Sequence, residues 1–282
     1  MAAGLQRECK METLGVMQGR LTPQTDNRIQ FFPLIGWREE FPTLKKLGIS
    51  HLEWTFDRNG LFENPILTTS GCEEVNYLAK SFKVSIGTAT CDNLMNAPIH
   101  KVGPDGQTSS DEFEKFIELV AKSTISTLVW PLVDAGSIKD SKELELFLVA
   151  ISKHFNLLAK HGIKVAFETD LSPLKNLDLM EKLPQNLFGL NLDIGNSASY
   201  GHSIVEEWNL NSNRILNIHI KDRLFEGLTV PLGSGSVSWS EVKYISDRYN
   251  KLMILQCARI AAQQERETIT RYINFLKTVE VI

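Results

Sequence analysis

The chain has 282 residues, of which 43% are hydrophobic, so it is long enough to bury one large core or two smaller ones. Its 30 basic and 34 acidic residues give a formal net charge of −4, which provides no global positive field to attract nucleic acid or an anionic membrane. No run approaches the ~20 apolar residues of a membrane span, and residues 1–10 lack the apolar segment of a secretory signal. We predict a cytoplasmic protein with a small-molecule partner.

Cysteine spacing and the first methionines give limited information about domain organisation. No two cysteines have the C-x-x-C spacing, so the pattern favours neither a disulfide framework nor a zinc ribbon. Because Met11 could serve as a second start, we expect residues 1–10 to be a disordered leader and residues 11–282 to form the folded domain. The cysteines are Cys9, Cys72, Cys91 and Cys257.

Eight short apolar runs are predicted as strands, and a segment with helical spacing of apolar residues follows each run. In chain order the strands are predicted over residues 14–17, 49–56, 84–89, 127–132, 164–168, 188–193, 215–220 and 252–256. The helices are predicted over residues 37–47, 72–82, 110–121, 140–160, 176–183, 203–210, 238–249 and 264–277. Pro42 is expected to mark the true start of the first helix, and Ser238 and Glu241 are expected to form a capping box.

Strict alternation of strands and helices predicts a parallel sheet, and eight such units in about 250 residues are typical of a (β/α)8 TIM barrel. An open, doubly wound sheet is the alternative. The Gly-x-Gly-x-x-Gly pattern that often follows the first strand of such a sheet is absent from this sequence. We therefore predict an α/β protein with a single barrel domain.

Four polar residues close the last four predicted strands, and they are Glu168, Asp193, His219 and Gln256. They are separated by 25, 26 and 37 positions, which is about one strand–helix unit each. In a barrel, the carboxyl ends of the strands converge on one mouth, where the active site lies. Any one of these residues alone would more often cap a loop or satisfy a buried hydrogen bond. Their coincidence favours a four-point cage for a divalent ion.

The donor atoms of this predicted cage are mostly oxygen, with one imidazole nitrogen. Such a set suits Mn²⁺ or Mg²⁺, and Co²⁺ and Zn²⁺ are alternatives because both accept carboxylate and imidazole ligands. The sequence does not choose between these metals.

A glycine-rich loop follows the seventh predicted strand and contains Gly233, Ser234 and Gly235. Loops at this point of a barrel often bind phosphate, because glycines let backbone N–H groups approach the anion. Together with Lys221 and Arg223, the loop is a candidate anion site. A flexible turn is an equally good interpretation of the spacing.

Three motifs resemble, in order and spacing, the signatures of sugar isomerase and epimerase barrels of the xylose-isomerase-like superfamily. They are residues 193–198 (DIGNSA), 219–222 (HIKD) and 230–235 (VPLGSG), with weaker matches at residues 53–57 and 168–170. The nearest resemblance is to the group of L-ribulose-5-phosphate 3-epimerase and hexulose-6-phosphate isomerase. It covers nearly the whole chain after Leu14.

The resemblance implies a divalent metal held by the positions of Glu168, Asp193, His219 and the residue that closes strand eight. It also implies that the first and last of these positions form the acid/base pair. This chain departs from the pattern because Gln256 stands where 3-epimerases carry glutamate, and an amide cannot take a proton at neutral pH.

This departure bears on the mechanism. An epimerase that uses two bases needs titratable groups on both faces of the substrate, whereas aldose–ketose isomerisation through an enediol can use one carboxylate, Glu168. A metal would polarise the carbonyl, and Lys221 would stabilise the enediolate or bind phosphate.

Further candidate site residues follow from the resemblance and from proximity in the sequence. Glu53 is a candidate acceptor of a substrate hydroxyl group or a second base. Asn196 and Arg223 are candidate substrate or phosphate ligands. Arg259, three residues beyond Gln256, is a candidate anion partner or, equally, a surface residue.

The sequence therefore predicts a metal-dependent sugar or sugar-phosphate isomerase or epimerase that is able to form a homo-oligomer. One alternative is a catalytically silent barrel that binds a sugar or a metal, because strand eight lacks a carboxylate. A second, ranked lower, is an endonuclease IV-like metal-dependent nuclease. Such sites need many histidines, and only His219 of the six here follows a late strand.

Overall fold

The computed structural model describes residues 11–24, 30–260 and 264–282. The predicted leader, residues 1–10, lies outside the described residues. Eight parallel strands form a closed barrel. These strands are β1 Leu14–Met17, β2 His51–Phe56, β3 Thr88–Cys91, β4 Thr127–Leu132, β5 Lys164–Thr169, β6 Phe188–Asp193, β7 Ile215–Ile220 and β10 Met253–Leu255. Their order around the barrel is β1-β10-β7-β6-β5-β4-β3-β2. The predicted (β/α)8 barrel is confirmed.

Helices occupy the connections between the strands and surround the barrel. They are α1 Trp37–Leu47, α2 Thr69–Phe82, α3 Asp92–Asn96, α4 Ser110–Val120, α5 Ser141–Ser152, α6 Phe155–His161, α7 Pro173–Glu181, α8 Ile194–Ser199, α9 Ile204–Asn211, α10 Trp239–Ser246 and α11 Glu265–Thr278. A short antiparallel pair, β8 Asp222–Arg223 and β9 Thr229–Val230, follows β7 outside the barrel. In the part of the chain that the structure describes, no helix is long and apolar enough to cross a membrane.

Large aromatic side chains fill the space between the barrel and its helices. Trp37 of α1 packs edge-on against Trp54 of β2, with 5.8 Å between ring centroids. On the other side of the barrel, Phe167 of β5 stacks on Phe188 of β6 with 5.7 Å between centroids. These side chains are almost completely buried, as expected for a parallel sheet that is covered on both faces.

The predicted helix over residues 140–160 is divided in two in the structure. α5 ends at Ser152 and α6 begins at Phe155, so Lys153 and His154 lie between the two helices. The buried ring of His154 packs with its centroid 4.7 Å from that of Phe113 on α4. Because apolar periodicity continues across this point in the sequence, only the packing of His154 reveals the break.

The third strand begins later than the sequence predicts, at Thr88 rather than at residue 84. Ser85 makes only a single bridge with His51, so the continuous ladder with β2 forms further along the chain. The later strand ends at Cys91 and is followed directly by Asp92. This shift brings Asp92 to the carboxyl end of the barrel.

The predicted start of α1 and the predicted capping box of α10 are wrong. α1 begins at Trp37 and contains Pro42 in its interior, because burial of the apolar face that includes Trp37 outweighs the backbone hydrogen bond that proline cannot donate. Ser238 precedes α10 but makes no side-chain capping bond. Glu241 instead accepts the backbone N–H of Ile204, 2.9 Å away, and so caps the neighbouring helix α9.

Candidate functional site

The carboxyl end of the barrel brings three of the four predicted ligands together. Asp193 pairs with His219 across β6 and β7, and Glu168 lies one strand away, near the end of β5. One ligand atom from each of the three residues lies within 4.8 Å of the others, and all three residues are buried. Their convergence agrees with the spacing of one strand–helix unit in the sequence.

His219 bridges two carboxylates through its two ring nitrogens. Nε2 lies 2.7 Å from Glu53 Oε1, and Nδ1 lies 3.0 Å from Glu168 Oε2. Burial alone would lower the pKa of His219, but Glu53 and Glu168 outweigh that effect and raise the pKa to about 10. The imidazole is therefore held in one orientation and favours the protonated form.

Glu53 lies below His219 and not on the cavity wall. Its side chain is 0% exposed, and Thr90 and Asn217 donate hydrogen bonds to its two oxygens at 2.8 and 2.9 Å. With His219 as a third partner, the carboxylate has no contact with solvent. The structure thus places Glu53 where it can orient His219, rather than where a substrate hydroxyl group would arrive.

Glu168 accepts hydrogen bonds at both of its oxygens. Asn196 donates to Oε1 at 2.7 Å, and Asn191 donates to Oε2 at 2.9 Å. Burial would raise the pKa of Glu168, but Lys221 and His219 reverse this effect and lower the pKa to about 2. Glu168 is therefore a carboxylate ion at neutral pH.

Lys221 follows β7 directly, and its ammonium group reaches into the predicted ligand set. Nζ lies 2.6 Å from Asp193 Oδ2 and 3.8 Å from Glu168 Oε1. It also donates to Gln256 Oε1 at 3.2 Å. The ammonium therefore contacts three of the four residues that the sequence predicts as metal ligands.

Gln256 connects the site to a carboxylate that the sequence analysis did not single out. Its Nε2 donates to Gln30 Oε1 at 2.9 Å, and Gln30 Nε2 donates to both oxygens of Asp92 at 2.8 and 2.9 Å. Asp92 is 8% exposed. Burial and the nearby Asp57 raise the pKa of Asp92 to about 7. The sequence feature that could have identified Asp92 is its position directly after a strand, because the same criterion identified Glu168.

A cavity of about 290 Å³ opens above these side chains at the mouth of the barrel. Its wall includes Asp92, Glu168, Lys221, Arg223 and Gln256. The volume suits a small polar molecule, and the wall combines two cations with the carboxyl groups of Asp92 and Glu168, whose pKa values differ. Such a combination can transfer protons and stabilise a developing negative charge.

The glycine-rich loop does not offer free N–H groups to a phosphate. The backbone N–H groups of Gly233 and Gly235 donate to Asp222 Oδ2 at 2.9 and 3.0 Å, and that of Val237 donates to Oδ1 at 3.2 Å. A Cβ atom at position 235 would overlap the Asp222 carboxylate, which explains the glycine. Ser234 donates its own N–H to the carbonyl of Pro231. The buried carboxylate of Asp222 thus occupies the position at which these N–H groups would bind a phosphate.

Replacing Asp222 with alanine is expected to lower the free energy of unfolding by about 3 kcal/mol, because three backbone N–H groups lose their common acceptor, which is itself fully buried. Urea denaturation of the wild type and the variant measures the change. Asp178→Ala, at an exposed position on α7, is the control and should change stability little. A loss below about 1 kcal/mol for Asp222→Ala would show that the loop does not depend on this carboxylate.

The two predicted arginine ligands lie in different places. Arg223 lines the cavity, but its guanidinium donates to the carbonyl of Gly227 at 2.8 Å and to Asn196 Oδ1 at 2.7 Å. Arg259 donates to the carbonyls of Thr22 and Gly19 and does not line this cavity. Arg259 therefore fixes the loop after β1, whereas Arg223 and Asn196 form part of the cavity wall.

The donor set at the barrel mouth fits a divalent cation. Glu168 and Asp193 would supply oxygens, and His219 would supply a nitrogen after releasing a proton, a combination that Mn²⁺, Co²⁺ and Zn²⁺ accept. The second nitrogen of His219 is bound by Glu53, which is the outer carboxylate typical of histidine ligands in metal sites. Lys221 is the feature that departs from such a site, since its ammonium already contacts Asp193.

Solved structures with the same fold include several sugar-converting enzymes. A D-psicose 3-epimerase crystallised in the presence of D-fructose has a TM-score of 0.72 at 12% identity, covering 95% of this chain and 99% of that chain. A 3-keto-D-glucoside 4-epimerase from E. coli has a TM-score of 0.66 at 15% identity, covering 94% and 99%. The IOLI protein with a zinc atom has a TM-score of 0.68 at 13% identity, covering 95% and 97%. At these identities the likeness shows the fold alone.

The sequence itself supplies the family assignment. No curated protein matches the chain. The sequence model of one family, described as the xylose isomerase-like TIM barrel, matches residues 41–274, which is most of the chain. The eight-stranded barrel agrees with that match. The chain therefore belongs to the xylose isomerase-like TIM barrel family.

Proposed function

We propose that this protein is a metal-dependent sugar isomerase or epimerase that removes a proton from the carbon next to a carbonyl group. The observation that carries the proposal is the pair of Glu168 and Lys221, a carboxylate ion and an ammonium group on the wall of one cavity. The first can accept the proton, and the second can donate a hydrogen bond to the oxygen that becomes negative. Sugar epimerases with the same fold support the substrate class.

Glu168, Asp193 and His219 would hold the metal, with the amide oxygen of Gln256 as a fourth candidate ligand. When bound, the metal would polarise the substrate carbonyl as a Lewis acid. The oxygen-rich set favours Mn²⁺ or Mg²⁺, with Co²⁺ and Zn²⁺ as alternatives. Glu53 would not touch the substrate. We assign it the role of fixing the orientation of His219, because its carboxylate is fully buried against the imidazole.

Asp92 is our candidate for the second acid/base group, in place of the carboxylate that strand eight lacks. It lines the same cavity as Glu168, and its raised pKa of about 7 lets it exchange a proton near neutral pH. With Glu168 as base and Asp92 as acid, the site has two titratable groups. Gln256 then serves Asp92 indirectly, by holding Gln30 in place. This arrangement favours epimerisation, and aldose–ketose isomerisation by Glu168 alone is the alternative.

The polar contacts of the cavity favour an uncharged sugar over a sugar phosphate. The N–H groups of the glycine-rich loop are bound to Asp222. Arg223 donates to neutral acceptors within the protein. On the cavity wall, the carboxylates of Asp134 and Glu168 would repel a phosphate group. Among the described residues, these contacts leave no ready-made phosphate cradle at the mouth.

A comparison of free and phosphorylated sugars tests the proposal. The purified protein, supplied with Mn²⁺, is incubated with free ketohexoses and with their phosphate esters, and products are identified by chromatography and NMR. We expect conversion of at least one free sugar and little conversion of the esters. Conversion of only the phosphate esters would contradict the substrate class. Absence of conversion with every sugar would favour a silent sugar-binding barrel.

A further inference from the structure

The ammonium group of Lys221 stands within the set of atoms that would bind the metal. It lies 2.6 Å from Asp193 Oδ2, 3.2 Å from Gln256 Oε1 and 3.8 Å from Glu168 Oε1. Apart from this ion pair, Asp193 Oδ2 accepts no hydrogen bond from any described residue. The principal partner of that oxygen is therefore the ammonium.

The surrounding fold is shaped to admit the lysine. Lys221 is only 9% exposed, and its chain passes over Gly195 in α8. A Cβ atom at position 195 would lie 2.5 Å from Lys221 Cγ and 2.9 Å from the Lys221 carbonyl oxygen. Only glycine leaves space for the side chain to follow this path. The contact also involves backbone, so the lysine is held by the fold and not only by its charged end.

The neutral amide of Gln256 suits an ammonium partner. Its neutral amide oxygen accepts a hydrogen bond from Lys221 without adding a negative charge, and its amide nitrogen is fixed by Gln30. Two carboxylates, Glu168 and Asp193, then face the ammonium. A divalent cation that bound both carboxylates would meet the positive charge of Lys221 within a few ångströms in a buried site. The two cations would therefore repel each other strongly.

We propose that Lys221 and a divalent cation compete for one position, so that the lysine ammonium must withdraw before Glu168, Asp193 and His219 bind a metal. The lysine thereby sets the metal affinity of the site. The inference rests on the metal clause of the proposed function, and it is independent of which proton is transferred. In the absence of metal, the ammonium group of Lys221 supplies the positive charge that the two buried carboxylates need.

Titration of metal-free protein with Mn²⁺ and Co²⁺ tests the proposal, using calorimetry for both ions and the visible absorption of bound Co²⁺. The variants are Lys221→Met and Lys221→Gln, and the second keeps a polar end in case methionine prevents folding. We expect both variants to bind one ion about tenfold to a hundredfold more tightly than the wild type. Lys175→Met, at an exposed position on α7, is the matched control and should bind as the wild type does.

A second measurement follows the melting temperature with and without Mn²⁺. We expect the Lys221 variants to be less stable than the wild type without metal and to gain more stability from it, because metal replaces the lost counter-charge. Equal affinity in the wild type and the variants, abolished by Asp193→Asn, would overturn competition and leave the metal site of the proposed function intact. Absence of binding in every folded variant would overturn both the competition and the metal dependence.

Discussion

Replacing Glu168 with glutamine is expected to lower turnover by about 10³-fold, because the amide keeps the shape of the side chain but cannot accept a proton at neutral pH. The carboxylate is held by Asn191, Asn196 and His219, and its pKa of about 2 keeps it ionised. The expected loss concerns kcat, since the group acts on the reacting carbon and contributes less to ground-state binding. Steady-state kinetics on the converted sugar measure it.

Glu145→Gln is the matched control for this substitution, because Glu145 is exposed on α5, outside the barrel mouth. Glu168→Asp keeps the carboxylate but shortens the side chain, so it distinguishes the effect of losing the carboxylate from the effect of displacing it. We expect Glu168→Asp to retain more activity than Glu168→Gln. If Glu168→Gln melts at a temperature similar to that of the wild type and its turnover stays within tenfold, Glu168 is not the catalytic base.

Replacing Asp92 with asparagine is expected to separate two events that occur together in the wild type. Glu168 should still remove the proton, whereas its return on the other face should slow by about 10²-fold without the second acid. The variant in deuterated water should therefore label the substrate faster than it forms product. NMR of the remaining substrate and of the product measures both rates.

The pH profile gives a second test of Asp92. Since burial raises the pKa of this carboxyl group to about 7, the acid form that donates a proton is present below that pH and lost above it. The kcat/KM of the wild type, which reports the pKa values of the free enzyme, should fall as the pH rises through about 7, and Asp92→Asn should lack that fall. Asp134→Asn, on the same cavity wall, is the control. A profile that is unchanged in Asp92→Asn would exclude Asp92 as the acid.

Much of the barrel and of the side-chain cluster at its mouth could be predicted because both depend on local patterns. Each strand is an apolar run of the right length, and parallel strands must end at one mouth. That geometry alone connects Glu168, Asp193 and His219, although they lie far apart in the sequence. The same reasoning explains why Asp92 was missed: the third strand was predicted to end at residue 89, two residues before its actual end at Cys91. Once β3 is placed at Thr88–Cys91, Asp92 obeys the strand-end rule.

Other contacts depend on side-chain directions that sequence patterns do not encode. Glu53 ends deep in the barrel because the register of β2 turns it towards His219 rather than towards the cavity. The glycine-rich loop has the composition of an anion site, but the anion it binds is Asp222 of the same chain. The chain of hydrogen bonds from Gln256 to Asp92 runs through Gln30, which is 226 positions from Gln256 in the sequence. No local pattern predicts such a contact.

The most direct test of the central claim is deuterium incorporation at the carbon next to the carbonyl of a free ketose. The wild type is incubated with Mn²⁺ and the sugar in deuterated water, beside Glu168→Gln, and the label is located by NMR. We predict incorporation at that single carbon by the wild type and almost none by the variant. No label with the wild type for any ketose, or equal labelling by both proteins, would contradict proton abstraction by Glu168.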